Sequence, residues 1–183
     1  MKKDTIMQFV CFDTNIEYQE FSGIMKNYLS KKKLRREEEE VIVMKASKDR
    51  FRYVSRHITS SGDFKFVFNR GRNPDIGVIG SLRIIQVGGY KPLQVERELH
   101  QGGNLLAVMI FVNKEQTDVS VFREIKCHQY LNIYEAYFES CAYSYILEYF
   151  VETLEAEKLL SEIKSQPLNS EAGIYSECLV MTV

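Results

Sequence analysis

Residues 6–14, IMQFVCFDT, decide the prediction of the fold. Their apolar run is interrupted by Gln8 and ends at Asp13, so it is far too short to span a membrane and is typical of a buried strand. Thr14 follows directly, and Glu17 stands three residues later, which is the spacing of a capping box at the start of a helix. A buried first strand is therefore expected to pass into a helix for which Thr14 is the N-cap.

The same order of elements is predicted at both ends of the chain. After Thr14, apolar residues recur at helical intervals, and the run 41–44 predicts a second strand. Near the C terminus, a strand over 145–151 precedes a helix capped by Thr153 and a closing strand over 173–181. The predicted apolar faces of the two helices are Phe21, Ile24, Met25, Tyr28 and Leu29 in the first, and Leu154, Leu159, Leu160 and Ile163 in the second.

Glycine and proline mark the middle of the chain as a region of strands and turns. Eight of the ten glycines lie between residues 62 and 103, whereas residues 105–166 contain neither glycine nor proline. Pro92 is expected to start a strand or to lie at a sheet edge. The predicted strands are 64–68, 82–87, 93–98 and 105–112, with turns at Gly88–Gly89 and at residues 101–104.

Two further segments are predicted to be helical. Ser47 can cap a short helix whose apolar stripe is Phe51, Val54 and Ile58. Residues 130–143 fit both a helical and a strand period, and the absence of turn residues favours the helix.

Together these elements predict an α+β fold in a single domain, residues 1–183. The sheet is expected to be largely antiparallel, with the helices on one face and ferredoxin-like β-α-β units near both termini. The alternative organisation is two similar halves, residues 1–103 and 104–183, within this domain. The 45% of hydrophobic residues is ordinary for a globular chain, and the four widely spaced cysteines are typical of reduced core residues rather than of disulfides or a zinc site.

Charge is distributed unevenly along a chain whose formal net charge is -1. Residues 31–72 contain thirteen Lys and Arg against six Asp and Glu, whereas residues 115–183 contain four against twelve. Such asymmetry indicates either an anion-binding face or two parts of one fold whose charges complement each other. Within the basic region, the block 31–40 neutralises itself and is expected to be solvated.

A basic stripe is the first candidate binding surface. Lys48, Arg52 and Arg56 recur every four residues on the predicted helix, and Arg70 and Arg72 in a turn could extend the same surface toward phosphate or carboxylate groups. Nucleic acid is a possible but less favoured partner, because the sequence pI is near 6.3 and no exposed aromatic residues are interleaved with the basic ones.

Aromatic residues supply the second candidate site. Tyr130, Tyr134, Tyr137 and Phe138 could line a ligand pocket. The alternative is core packing, which the absence of tryptophan favours because other rings must then fill the interior.

No catalytic, metal-binding or cofactor-binding motif is recognised, so no catalytic residue, metal or cofactor is predicted. A nucleophile and base would have to meet in space, for example Cys127 or Cys141 with His57 or His100. The glycine pairs lack the spacing of phosphate-binding loops.

The function favoured by the sequence is a non-enzymatic, cytoplasmic binding or protein-interaction module. A regulatory role and a homodimer formed through a sheet edge are further expectations. One alternative is anion or nucleic-acid binding through the basic helix face. The other is an enzyme with a spatially assembled Cys/His or Tyr/His site. A protein partner or self-association is expected, and no membrane span.

Overall fold

Eight β-strands closed into a barrel form the framework of the protein. The computed structural model describes residues 5–31, 41–46, 52–60, 83–97, 105–113, 119–165 and 174–182. The chain order is β1 (Thr5–Asp13), α1 (Tyr18–Lys31), β2 (Val41–Ala46), β3 (Tyr53–Ser60), β4 (Arg83–Gln94), β5 (Leu105–Asn113), α2 (Ser120–Arg123), β6 (Tyr130–Ala136), β7 (Tyr143–Glu152), a 3₁₀ turn (Thr153–Glu155), α3 (Ala156–Ser165) and β8 (Ile174–Thr182).

The strands follow the order β1-β3-β2-β8-β5-β7-β6-β4 around the barrel, and β4 pairs with β1 to close it. All pairs among the described strands are antiparallel. The first four strands therefore run β4-β1-β3-β2, and the last four repeat that order as β8-β5-β7-β6. We call these the N-terminal and C-terminal strand sets. They meet at two seams, β2 with β8 and β4 with β6.

The α+β class and the antiparallel sheet are thus confirmed, but the closure of the sheet was not foreseen. Every described strand has a neighbour on both sides, although the seam between β2 and β8 pairs only three residues of each strand. This closure leaves little described edge for the predicted homodimer, which a single chain does not test.

Alternation along the strands separates the barrel interior from its outer face. In β1, Met7, Phe9 and Cys11 point into the apolar core inside the barrel, while Val10 and Phe12 pack outward. Helix α1 covers the outer face of the N-terminal strand set with Phe21 and Met25. Helices α2 and α3 cover the C-terminal strand set with Phe122, Leu159 and Ile163.

Two predicted helices are strands. Residues 53–60 form β3 and residues 130–136 form β6, so the helix predictions for 47–60 and 130–143 are wrong there. Both segments are rich in aromatic and β-branched residues, which suit a pleated surface. A three-to-four-residue apolar spacing was counted as a helical stripe although alternate positions fit a strand equally well.

Strand β4 continues through the expected Gly88–Gly89 turn. At Gly88 a Cβ would lie 2.5 Å from Cε2 of Tyr90, so the ring of Tyr90 occupies the space that a side chain would need. The glycine therefore permits close packing rather than a turn. Pro92 lies inside β4, beside the register shift between Pro92 and Gln94, and does not start a strand.

The two predicted N-caps are also wrong. Thr14 lies between β1 and α1, where its Oγ1 accepts a 3.3 Å hydrogen bond from the backbone N–H of Ile16, and α1 begins only at Tyr18. Thr153 starts the 3₁₀ turn, and no side-chain capping bond is formed at its beginning. A threonine after a strand therefore identified the turn but not the first helical residue.

The strands predicted over 8–12, 41–44, 105–112, 145–151 and 173–181 are confirmed by β1, β2, β5, β7 and β8. The predicted strand 64–68 and most of the charged block 31–40 lie outside the described residues.

Candidate functional site

A cleft lies at the outer surface between the turn 126–129, the end of β7 and helix α3. Its volume is about 420 Å³, which is within the usual range for small-molecule sites. Two hydrogen bonds hold the segments around the cleft in place. The backbone N–H of Gln129 donates to the Phe150 carbonyl at 2.8 Å, and the Tyr149 hydroxyl donates to the Phe122 carbonyl at 2.7 Å.

His128 is the nitrogen base of this cleft. Its half-buried ring packs edge-on against Tyr149, with ring centroids 5.0 Å apart. Burial lowers the pKa of His128 below its usual value, and the charges of Glu96 and Glu162 and the Ile125 carbonyl oppose that shift. Nδ1 is buried and forms no hydrogen bond of ordinary geometry with the described residues. The imidazole is therefore expected to be neutral at neutral pH.

Cys127 stands beside His128 but has the opposite chemical character. Its Sγ donates to Oε1 of Glu162 at 2.6 Å. Burial and this carboxylate raise the pKa of the Cys127 thiol, and Lys158 counters only part of the effect. Because the thiolate is the nucleophile and the metal ligand, a thiol held protonated is poorly suited to either role. The reactive base of the cleft is therefore His128.

Charged side chains from α3 complete the cleft. Lys158 forms an ion pair with Glu155 at 3.4 Å and lies near Cys127, and Lys126 adds a second cation at the rim. Within the described residues, no three His, Cys, Asp or Glu side chains come together in an arrangement that could hold a metal ion. The cleft thus offers a single neutral nitrogen donor with both cations and carboxylates around it.

A second polar cluster lies inside the barrel and is formed by inward-facing residues of β3, β6 and β7. Nη1 of Arg56 bonds both carboxylate oxygens of Glu148, at 3.0 and 3.2 Å. Glu148 also accepts a 2.8 Å hydrogen bond from the Tyr134 hydroxyl and a 3.1 Å bond from Nδ2 of Asn132. We call these four residues the interior cluster.

The interior cluster is shielded from water. Arg56 and Glu148 are 2% and 0% exposed. Burial, reinforced by the charge of Glu148 and opposed by Arg56, raises the pKa of Tyr134 well above its usual value. Oδ1 of Asn132 also accepts from the backbone N–H groups of Glu96 and Arg97, at 2.9 and 3.2 Å, so the cluster holds the segment after β4. Glu148 is thus bonded by three donors, whereas Nε of Arg56 is buried and forms no hydrogen bond of ordinary geometry with the described residues. Bonds among the four residues stabilise the fold.

The predicted basic stripe is divided by the fold. Arg52 precedes β3 and forms a 2.8 Å ion pair with Glu17. Arg56 points into the barrel, so the prediction that it belongs to a solvent-exposed stripe is wrong. Lys48, Arg70 and Arg72 lie outside the described residues. Anion binding by these three remains a prediction.

The predicted aromatic pocket does not converge on one cavity. Tyr134 is fully buried in the interior cluster, whereas Tyr130 and Tyr137 are 37% and 48% exposed on the surface. Phe138 contacts Tyr137 edge-on at 4.8 Å and packs partly against the barrel interior. In Tyr134 and Phe138 the alternative of core packing describes the structure better.

The Cys/His combinations proposed from the sequence have other partners. His57 lies 2.9 Å from the hydroxyl of Ser55, and Cys141 donates to the Gly89 carbonyl at 3.2 Å. His100 lies outside the described residues. The residues that do share a cleft, Cys127 and His128, are adjacent in the sequence and are not one of these combinations. Glu162 and Lys158 gave no signal beyond that of ordinary helix-surface charges.

Comparison with known proteins identifies the fold class. The chain is similar to a chlorite dismutase variant from Candidatus Nitrospira defluvii, with a TM-score of 0.62, 12% identity, and coverage of 100% of this chain and 92% of that one. An anthrone oxidase-like protein matches with a TM-score of 0.58, 7% identity, and coverage of 100% and 92%. A haem-binding protein from Thermus thermophilus matches with a TM-score of 0.53, 8% identity, and coverage of 100% and 92%. No protein-family model and no curated protein matches. Identities this low show a shared fold.

These neighbours overturn the prediction of a non-enzymatic binding module. The proteins that share the fold are named for a dismutase, an oxidase-like protein and haem binding. The alternative of an enzyme with a spatially assembled Cys/His or Tyr/His site agrees better with them. None of the helices in the described part of the chain has the length and apolar character that crossing a bilayer requires.

Proposed function

We propose that the protein is a haem-using redox enzyme whose cofactor would be held at the cleft by the imidazole of His128. The observation that carries the proposal is the half-buried imidazole of His128, packed edge-on against Tyr149 at a cleft of ligand size, in a fold shared with a chlorite dismutase and a haem-binding protein. A bound haem supplies one-electron and oxygen chemistry that side chains alone do not.

The donor set supports a haem better than a bare metal ion. A bare ion needs several protein ligands, and the described residues form no such group. A haem would bring its porphyrin nitrogens with it, so one imidazole would be enough to hold it. The lining of the cleft is mostly polar, with Val151 as its one aliphatic side chain, so the fit depends on His128 and on the charges at the rim. Lys126 and Lys158 are suited to the carboxylates of a haem, while Glu152, Glu155 and Glu162 oppose them.

The surroundings of His128 and Cys127 indicate which of the two side chains would hold the haem. A side chain that coordinates iron binds in its deprotonated form. Burial lowers the pKa of His128, whereas burial and Glu162 raise the pKa of the Cys127 thiol. The edge contact with Tyr149 restrains the imidazole, as an oriented ligand requires. The imidazole nitrogen, rather than the thiol sulfur, would therefore hold the haem.

A haem titration monitored by absorbance tests the proposal. The wild-type protein should give a saturable shift of the Soret band at one haem per chain, and His128→Ala should lose it. Cys127→Ala and Gln129→Ala are matched controls from the same turn and should keep the shift. Loss of the shift in Cys127→Ala with retention in His128→Ala would assign the ligand to sulfur and contradict the proposal, as would absence of binding by the wild type.

For the fold, the repeated strand order supports the proposal of two ferredoxin-like halves, residues 1–103 and 104–183. Each strand set places its first and third strands at the centre and its second and fourth at the edges.

Self-association of the whole chain is also proposed, through the outer surface rather than a strand edge. Analytical ultracentrifugation of the full chain tests it, and a monomer at all concentrations would contradict it.

A further inference from the structure

The ion pair of the interior cluster joins equivalent positions of the two strand sets. Arg56 of β3 lies opposite Phe9 of β1, and Glu148 of β7 lies opposite Met109 of β5. Because β1 corresponds to β5 and β3 to β7 in the repeated order, the two charged residues occupy matching central sites. The N-terminal strand set presents a cation there, and the C-terminal set presents a carboxylate.

We propose that the Arg56–Glu148 pair selects the partner of each strand set. The N-terminal set accepts a C-terminal set, from its own chain or from a second copy, and rejects another N-terminal set. This inference concerns assembly and does not depend on haem binding.

Arg56 and Glu148 are 2% and 0% exposed, so solvent does not screen their charges. If two N-terminal sets paired in the same way, Arg56 would face a second Arg56 with no carboxylate between them. Two C-terminal sets would bring Glu148 against Glu148. Like charges without water repel strongly and keep their full desolvation cost, whereas opposite charges offset it. Tyr134 and Asn132 lie in the same C-terminal set as Glu148 and donate to it, so a pairing of two N-terminal sets would lack these donors as well as the carboxylate.

The other contacts between the strand sets discriminate much less. The seams β2–β8 and β4–β6 are held by backbone pairing, which any two antiparallel strands can form. Side-chain bonds add to the β4–β6 seam, where Asn132 bonds the backbone of Glu96 and Arg97 and Cys141 donates to the Gly89 carbonyl, but each of these bonds has a neutral partner. The apolar side chains that meet inside are similar on both sides, since β1 contributes Met7, Phe9 and Cys11 and β5 contributes Ala107, Met109 and Phe111. The ion pair joins two buried charges, so it carries the largest penalty against a like strand set.

Two complementary variants of the full chain test the proposal. Arg56→Glu places two carboxylates in the barrel, and Glu148→Arg places two guanidinium groups there. Each variant alone should lose most of its cooperative unfolding transition. When an isotope-labelled Arg56→Glu chain is refolded with an unlabelled Glu148→Arg chain, each strand set can find an opposite charge in the other chain.

Native mass spectrometry then reports the partner directly. The mixture should contain labelled–unlabelled dimers in excess over like dimers, on the order of a hundred-fold if the like-charge penalty is several kcal/mol. A labelled and unlabelled wild-type mixture is the control and should show no such excess. A statistical mixture, or a mixture as unfolded as the separate variants, overturns the proposal.

A second variant keeps the test informative within one chain. The exchange Arg56→Glu/Glu148→Arg restores opposite charges in reversed order. It should recover part of the lost urea midpoint, but not all of it, because Tyr134 and Asn132 then face an arginine. A double variant no more stable than the single variants contradicts partner selection by charge.

Discussion

The interior cluster and the cleft both contain titratable residues, but the partners of those residues differ. In the interior, Arg56, Tyr134 and Asn132 all bond Glu148, and the group is closed to water. At the cleft, His128 is half-buried beside open space, and the charges of α3 stand at a rim. Burial and a strong pKa shift therefore do not by themselves identify a functional site. A site also needs a group with capacity left for a ligand.

The largest expected effect comes from breaking the interior cluster. Glu148→Gln should lower the free energy of unfolding by about 3 to 5 kcal/mol, because Arg56 would keep a buried charge without its counter-ion. Urea unfolding measures the change. Glu152→Gln is the matched control, since its carboxylate is exposed and accepts a surface hydrogen bond from Gln129 at 3.0 Å. A loss below about 1 kcal/mol, the range of exposed pairs, would contradict the importance of the cluster.

The second prediction compares a buried histidine with the cleft histidine. Burial lowers the pKa of His57 from 6.5 to about 4. Between those two pH values the unfolded chain binds the proton and the folded chain does not, so stability falls as pH decreases from about 6.5 toward 4. The loss is on the order of 3 kcal/mol at the low end.

Comparing wild type with His57→Gln removes the contributions of other titrating groups. The difference in unfolding free energy between the two proteins should change across this pH range, to the disadvantage of the wild type at low pH. Parallel curves would show that His57 titrates normally. His128→Gln should show the same trend to a smaller extent, because its ring is only half-buried.

Features that depend on neighbouring residues could be predicted from the sequence, whereas contacts between distant residues could not. Apolar runs ending at Asp13 or beginning near Leu105 identified strands, because burial acts on consecutive residues. The helix prediction failed for 53–60 because a stripe of three residues, Phe51, Val54 and Ile58, was too short to define a helical face. The partnership of Arg56 with Glu148 spans 92 residues and follows only from the closed barrel. Arg56 therefore looked like a surface cation until its strand had been placed.

The cleft was harder to predict than the fold. The only sequence feature of His128 was its position next to Cys127. The cleft forms where α3 packs near the turn before β6. Glu162 lies 35 residues from Cys127, at an ordinary helix-surface position. Neither residue type nor local spacing indicated that they would meet.

A third, smaller effect tests how tightly the interior is packed. Gly88→Ala should cost about 1 to 3 kcal/mol, since the new methyl group would overlap the ring of Tyr90. Gly23→Ala in α1 is the control, because nothing lies within 4 Å of the added Cβ there. It should raise stability by about 0.4 to 1 kcal/mol through helix propensity. Thermal unfolding of the two variants measures both, and equal shifts in the same direction would refute the packing argument.

The smallest expected effect on stability is at the cleft. Glu162→Gln removes the carboxylate that raises the pKa of Cys127 and should leave unfolding within about 1 kcal/mol of wild type. Alkylation of Cys127, followed by peptide mass spectrometry across pH, should shift to lower pH in the variant. The buried Cys11 and Cys141 serve as internal references. An unchanged alkylation profile would show that Glu162 does not control the thiol.

The most direct test of the account is the unfolding midpoint of wild type and His128→Ala, each measured with and without haem. At haem about 100-fold above its dissociation constant, binding should stabilise the wild type by about 2.7 kcal/mol. His128→Ala should unfold near the wild-type midpoint without haem and gain little when haem is added. Equal stabilisation of both proteins by haem, or none of either, would contradict the assignment of the cleft as the functional site.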